Sequence, residues 1–301
     1  MNQVRRCCFL AAVFAAGVGF AAGQAHDHSS HGTEAAMPSD AMRQDPSLPA
    51  AEEHAKQALN SSPRHGEWAD VSIPGSNEKL RTWVAYPERK DKAPVVVVIC
   101  EIYGLSDWIR AVADRLAADG FIAVAPDMVW GKGPGGGGTE SAASRDQVVG
   151  WIRGLNENDV LTRLNAARSF GIGLPASNGK SATIGFCWGG SQSFLYTCQQ
   201  PDLNAAVVYY GTSPDSNGLA QVKETPVLGL YGGDDVRVNA TIQPAQRVLM
   251  QSGKTYEVEI YEGAGHGFLR AQSGREGANL KATQKAWPRT IEFLRKHTSS
   301  K

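Results

Sequence analysis

An α/β fold, with a mostly parallel twisted sheet and helices on both faces, is what this sequence predicts, and three observations carry that expectation. Runs such as Pro94 to Cys100 (PVVVVIC) are dense in β-branched residues without polar alternation, as strands buried on both faces require. Segments of helical spacing fall between these runs, and such alternation implies parallel strands joined by crossover helices. The third observation is local. The apolar run Ala182-Thr183-Ile184 leads into Gly185-Phe186-Cys187-Trp188-Gly189-Gly190, and a helix-compatible segment, Ser191 to Cys198, follows. This is the pattern of a strand-to-helix elbow that projects a nucleophile from the sheet end, with cysteine in the central place.

In chain order, Glu67 to Ile73 and Lys79 to Tyr86 read as half-buried strands, and Pro74-Gly75-Ser76-Asn77 between them is a hairpin signal. Pro94 to Cys100 is a buried strand. Asp107 to Asp119 has helical spacing at Trp108, Val112 and Leu116 and stops at Gly120. Phe121 to Ala125 is a further buried strand, closed by Pro126-Asp127. Gly131 to Gly138 (GKGPGGGG) reads as a mobile loop beside a pocket; it lacks the G-K-[ST] signature of a phosphate cradle. Val148 to Ser169 reads as one helix. Beyond the elbow come strands at Ala205 to Tyr210, Pro226 to Tyr231 and Tyr256 to Tyr261, a helix around Pro244 to Gln251, and a closing amphipathic helix from Ala282 to Lys296. An elbow in this order of elements predicts the α/β-hydrolase fold, with catalytic loops at the carboxyl ends of the strands.

The chemistry follows from the elbow. Flanking glycines allow a sharp turn, and the helix N-terminus behind Cys187 points partial positive charge at the sulfur. That charge predicts a thiolate-favouring site, titrating below the usual thiol value of about 8.5. A thiol nucleophile needs a base and a group to orient the base. His266, in Gly263-Ala264-Gly265-His266-Gly267-Phe268, and the acids of Gly232-Gly233-Asp234-Asp235 each follow a strand. Nucleophile, acid and histidine in that order suit the fold. Spacing alone leaves Asp234 and Asp235 both open as the acid.

The ends of the chain and its composition bound the setting. Met1 to Ala25 reads as a secretory signal: Arg5 and Arg6, then an apolar stretch from Cys7 to Ala22, then small residues. A periplasmic or secreted protein is expected, with residues 26–63 a flexible His-containing linker, in which Ala50 to Leu59 could form a short helix, and 64–301 the hydrolase domain. His26, His28 and His31 lie in that linker without metal-ligand spacing, and neither a metal nor another cofactor is expected. Signal removal would leave Cys100, Cys187 and Cys198, which rules out a disulfide-dense scaffold. With 30 basic and 30 acidic side chains, the chain has no electrostatic pull toward nucleic acid or an anionic membrane. A monomer acting on a small molecule is the expectation.

Cys100-Glu101-Ile102-Tyr103-Gly104, Pro126-Asp127, the Cys187 elbow, Gly232-Gly233-Asp234-Asp235 and Ala264-Gly265-His266-Gly267-Phe268 together resemble the dienelactone hydrolase family, in order, from about Pro94 to the C-terminal helix. The resemblance implies a Cys187–His266–Asp235 triad. It further implies that Glu101 contacts the resting thiol and helps activate it, that the backbone N–H groups of Ile102 and Trp188 form the oxyanion hole, and that Arg270 binds a substrate carboxylate. Arg145 is a candidate for a second such arginine. The implied reaction is hydrolysis of a small lactone or ester through an acyl-enzyme thioester. A broad esterase or thioesterase on the same triad is one alternative, and a catalytically silent binding or redox protein another.

Overall fold

The computed structural model describes residues 45–299, so the expected signal segment and the His-containing stretch lie outside the described residues. The hairpin forms from β1 (Gly66–Ser72) and β2 (Lys79–Ala85), paired antiparallel from Gly66 opposite Ala85 to Ser72 opposite Lys79. The apolar runs become β3 (Ala93–Ile99), β4 (Ile122–Pro126), β5 (Ser177–Phe186), β6 (Ala205–Tyr209), β7 (Val227–Gly232) and β8 (Tyr256–Tyr261). Among the described residues, eight strands make one sheet in the order β1-β2-β4-β3-β5-β6-β7-β8. β2 is antiparallel to β1 and β4, and every pairing from β4 across to β8 is parallel. The valines of β3 are fully buried, as a strand covered on both faces demands.

The helices are α1 (Glu52–Ser61), α2 (Asp107–Ala118), α3 (Arg145–Arg153), α4 (Glu157–Gly173), α5 (Trp188–Gln199), α6 (Ser216–Leu219), α7 (Val236–Asn239), α8 (Ile242–Gln251) and α9 (Ala278–Thr298). Successive side chains of a strand point to opposite faces, and β5 shows which helices cover each. Phe186 meets Trp108 of α2 edge-on and Tyr209 of β6, whose hydroxyl bonds Thr290 of α9 at 2.7 Å. Thr183, of opposite parity, bonds Ser193 of α5 at 2.8 Å. Thus α2 and α9 cover one face and α5 the other. The Asn165 carbonyl of α4 accepts from the Tyr196 hydroxyl of α5 at 2.7 Å, which puts α4 beside α5.

Three expectations need correction. The expected single helix over 148–169 is two, because α3 ends at Gly154 and Asn156 starts α4 by accepting from the Asp159 N–H at 2.9 Å. The glycine-rich loop is tied down: Asp127 accepts from Thr139 N at 2.7 Å and Thr139 Oγ1 at 2.8 Å, and Thr139 Oγ1 accepts from Leu105 N at 3.0 Å. The expected linker is folded over its described part, residues 45–63. Leu48, Ala50, Ala51 and Ala55 are buried, and the Trp108 indole donates to the Ala50 carbonyl at 3.0 Å. Alanines let α1 lie close on α2, and burying Leu48 alone contributes about 2 kcal/mol. The short helix that Ala50 to Leu59 could form is present as α1, while the polar, proline-containing composition around it hid its packing on α2.

Candidate active site

Cys187, His266, Asp235 and Glu101 come from turns and loops that follow strands, at the carboxyl edge of the sheet. Cys187 sits between β5 and α5 with φ 56° and ψ −115°, a left-handed conformation that costs a non-glycine residue on the order of 1–3 kcal/mol. The neighbouring glycines make that turn possible. A Cβ on Gly185 would collide with the Gly189 carbonyl, and one on Gly189 with the carbonyls of Ile99 and Cys100. Hydrogen bonds hold the turn: Cys187 N donates to Tyr209 O at 3.0 Å, and Ser191 N donates to Cys187 O at 3.1 Å. The half-buried sulfur receives the backbone N–H groups of Trp188 and Ile102.

Across the edge, His266 Nδ1 lies 2.5 Å from Asp235 Oδ2. Asp235 is buried at the start of α7, whereas His266 is partly exposed and its ring packs on Tyr210 at 5.1 Å between centroids. Asp234 points elsewhere, to Arg275 at 3.0 Å on the surface. Of the two acids that spacing left open, only Asp235 meets the imidazole. A carboxylate on Nδ1 holds the ring in the tautomer whose Nε2 can accept a proton.

Glu101 follows β3 and is buried. Its Oε2 accepts from Arg270 Nε at 2.7 Å, while among the described residues neither Oε1 nor the Tyr210 hydroxyl has a hydrogen-bond partner. Arg270 also donates through Nη1 to Glu52 Oε2 at 2.5 Å, and Glu52 Oε1 accepts from Arg145 Nη2. Both guanidinium groups lie against the Tyr103 ring, Arg145 at 4.8 Å and Arg270 at 5.4 Å. Glu101, Arg270, Glu52 and Arg145 therefore form a chain of alternating charge along one wall of the site.

The protonation of Cys187 differs from the sequence expectation. Burial first, then the Glu101 carboxylate, push the thiol up to about 11. The N–H groups of Trp188 and Ile102 and the Arg237 guanidinium act the other way without overcoming them. Helix polarity was the visible signal, but desolvation of the sulfur outweighs it. Burial raises the Glu101 carboxyl as well, against the pull of Arg270 and His266. With the thiol raised, Cys187 rests protonated at neutral pH. Its alkylation by iodoacetamide should climb about tenfold per pH unit through neutrality and keep climbing past the ordinary thiol value of about 8.5. Peptide mass spectrometry that finds a rate plateau on Cys187 below that value would overturn this.

Tyr103, Tyr210, Arg237 and Glu52 were not among the residues singled out from sequence. Tyr210 carried one usable signal, since it ends an apolar strand run at the edge where catalytic loops gather. Glu52 carried none. Cys100 and Cys198 are buried and form no disulfide among the described residues, and burial and Asp127 push the Cys100 thiol upward.

Strand order, crossover helices and the strained elbow define the class of the molecule, an α/β-hydrolase fold. Sequence comparison narrows it. The profile of the dienelactone hydrolase family matches residues 80–298, so the chain belongs to that family and is a hydrolase of that type. A carboxymethylenebutenolidase from Pseudomonas sp. (strain P51) is 28% identical over 209 residues, 69% of this chain and 86% of its own. A Yersinia pestis protein, named provisionally as a carboxymethylenebutenolidase, is 28% identical over 256 residues, 81% of this chain and 94% of its own. A crystal structure from Klebsiella pneumoniae, described provisionally as a dienelactone hydrolase, superposes with a TM-score of 0.65 at 25% identity, covering 76% of this chain and 98% of that one.

Proposed function

We propose that this protein is an exported, monomeric hydrolase that opens a small lactone or ester by nucleophilic catalysis at Cys187, with His266 as base and Asp235 orienting it. The observation that carries the reading is the sulfur on its elbow, met by the N–H groups of Ile102 and Trp188, with the His266–Asp235 pair at the same edge. The thiol proton passes to His266 as the sulfur attacks the carbonyl carbon. A C–S bond forms, and the carbonyl oxygen takes the negative charge between the two N–H groups. Collapse breaks the C–O bond to the leaving oxygen, which takes the proton from His266 and leaves an acyl thioester. Water then gives a proton to His266 and attacks the thioester; breaking the C–S bond returns that proton to sulfur and releases the acid.

A thiol that rests protonated suits this order of events, because proton transfer to His266 coincides with attack. The charge of the Glu101 carboxylate acts on the thiol and disfavours a free thiolate before substrate arrives. The test is rapid-quench mass spectrometry of the full chain with an aryl ester and, separately, with dienelactone. An acyl adduct on Cys187 that forms before steady turnover is expected. Ester turnover without lactone turnover would keep the mechanism and discard the dienelactone substrate. Turnover that leaves Cys187 unmodified, and persists after the thiol is blocked, would sink the proposal.

A further inference from the structure

The two arginines that could receive a substrate carboxylate already hold one from the chain itself. Glu52 reaches Arg270 through Oε2 at 2.5 Å and Arg145 through Oε1, and its backbone N–H donates to the Arg270 carbonyl at 3.0 Å. Burial opposes its ionisation, but the bonds from Arg145 and Arg270 outweigh that and hold its carboxyl below the ordinary range. Glu52 is also firmly placed. The segment before it is fixed by Trp108 Nε1 on Ala50 O at 3.0 Å and Gln272 Nε2 on Pro49 O at 2.8 Å. Ala55, one turn on, is fully buried.

We propose that Glu52 is a specificity-determining residue: its carboxylate occupies the Arg270–Arg145 pair, so the site accepts neutral lactones and esters and discriminates against substrates bearing a carboxylate. This rests on the hydrolase reading of Cys187. An anionic substrate must either forgo both guanidinium groups or displace Glu52. Displacement leaves a partly buried carboxylate without partners on the same wall as Glu101, which costs far more than a surface pair returns. A neutral substrate meets no such barrier. The chain Glu101–Arg270–Glu52–Arg145 is balanced as it stands, two carboxylates against two guanidinium groups.

Two readouts test this, one independent of turnover. Crotonate, a small monocarboxylate, is titrated calorimetrically into full-length Cys187→Ser protein with Glu52 intact, with Glu52→Ala, and with the shape-preserving Glu52→Gln. Loss of the carboxylate should tighten crotonate binding at least about tenfold, and adding Arg270→Ala should abolish the gain. Equal affinities with and without Glu52 would overturn the assignment. In the active protein, the ratio of kcat/KM for dienelactone to that for phenyl acetate should rise by a similar factor in both Glu52 variants. A ratio that stays put would also overturn it. Inactivity of every form toward both substrates would count against the hydrolase reading, while the crotonate titration would still decide the role of Glu52.

Discussion

Replacement of Cys187 by alanine is expected to lower kcat for an aryl ester by about 10⁴-fold or more, the scale seen when a nucleophile that acts as a unit with its base is removed. KM should move little, because the Ile102 and Trp188 N–H groups and the pocket walls stay in place. The fold should survive, since alanine adopts the φ of 56° at a cost like that of cysteine and the sulfur is only half-buried. Steady-state kinetics alongside circular dichroism checks both points. Retention of more than about a tenth of the wild-type rate by a folded variant would remove Cys187 from the chemistry, because the oxyanion donors alone give only a small residue of the full rate.

A second large effect separates two adjacent acids. Asp235→Asn should cost about 10⁴-fold in kcat, because an amide beside His266 Nδ1 can donate and so favours the wrong tautomer. Asp234→Asn should change the rate by less than about threefold, because its pair with Arg275 is on the surface, and exposed pairs contribute little. The pH profile adds a check. The Asp235→Asn protein should recover activity toward alkaline pH, where hydroxide or a deprotonated thiol substitutes for the oriented base. Equal losses at both positions would mean that the loop as a whole, and not one carboxylate, supports the imidazole.

What the sequence could disclose depends on how local the cause is. The elbow was legible because its demands are steric and confined to six residues: three glycines where a side chain would strike backbone carbonyls, and one projecting residue among them. The strands were legible because burial on both faces writes a continuous apolar run. The break between α3 and α4 was missed because Gly154 and Asn156 interrupt an apolar spacing that otherwise continues. The choice between Asp234 and Asp235 needed the direction of two side chains, which spacing does not carry. The thiol's protonation needed the depth of the sulfur and the nearness of Glu101, both products of packing. Glu52 was least accessible of all. Its partner Arg270 lies 218 positions away, and the polar stretch around it resembles an unstructured linker.

Because the first turn of α1 reaches the catalytic edge through Glu52, a helix that precedes every strand of the sheet is also a boundary of its chemistry. A form starting at residue 64 would keep all eight strands and the residues Cys187, His266 and Asp235. It would lose one negative charge from a balanced row of four, leaving a net charge of +1 where two acids had faced two arginines. On the role proposed for Glu52, proteolytic trimming or a fusion that disturbs α1 would therefore change the charge that a substrate meets, with the sheet and the nucleophile left as they are.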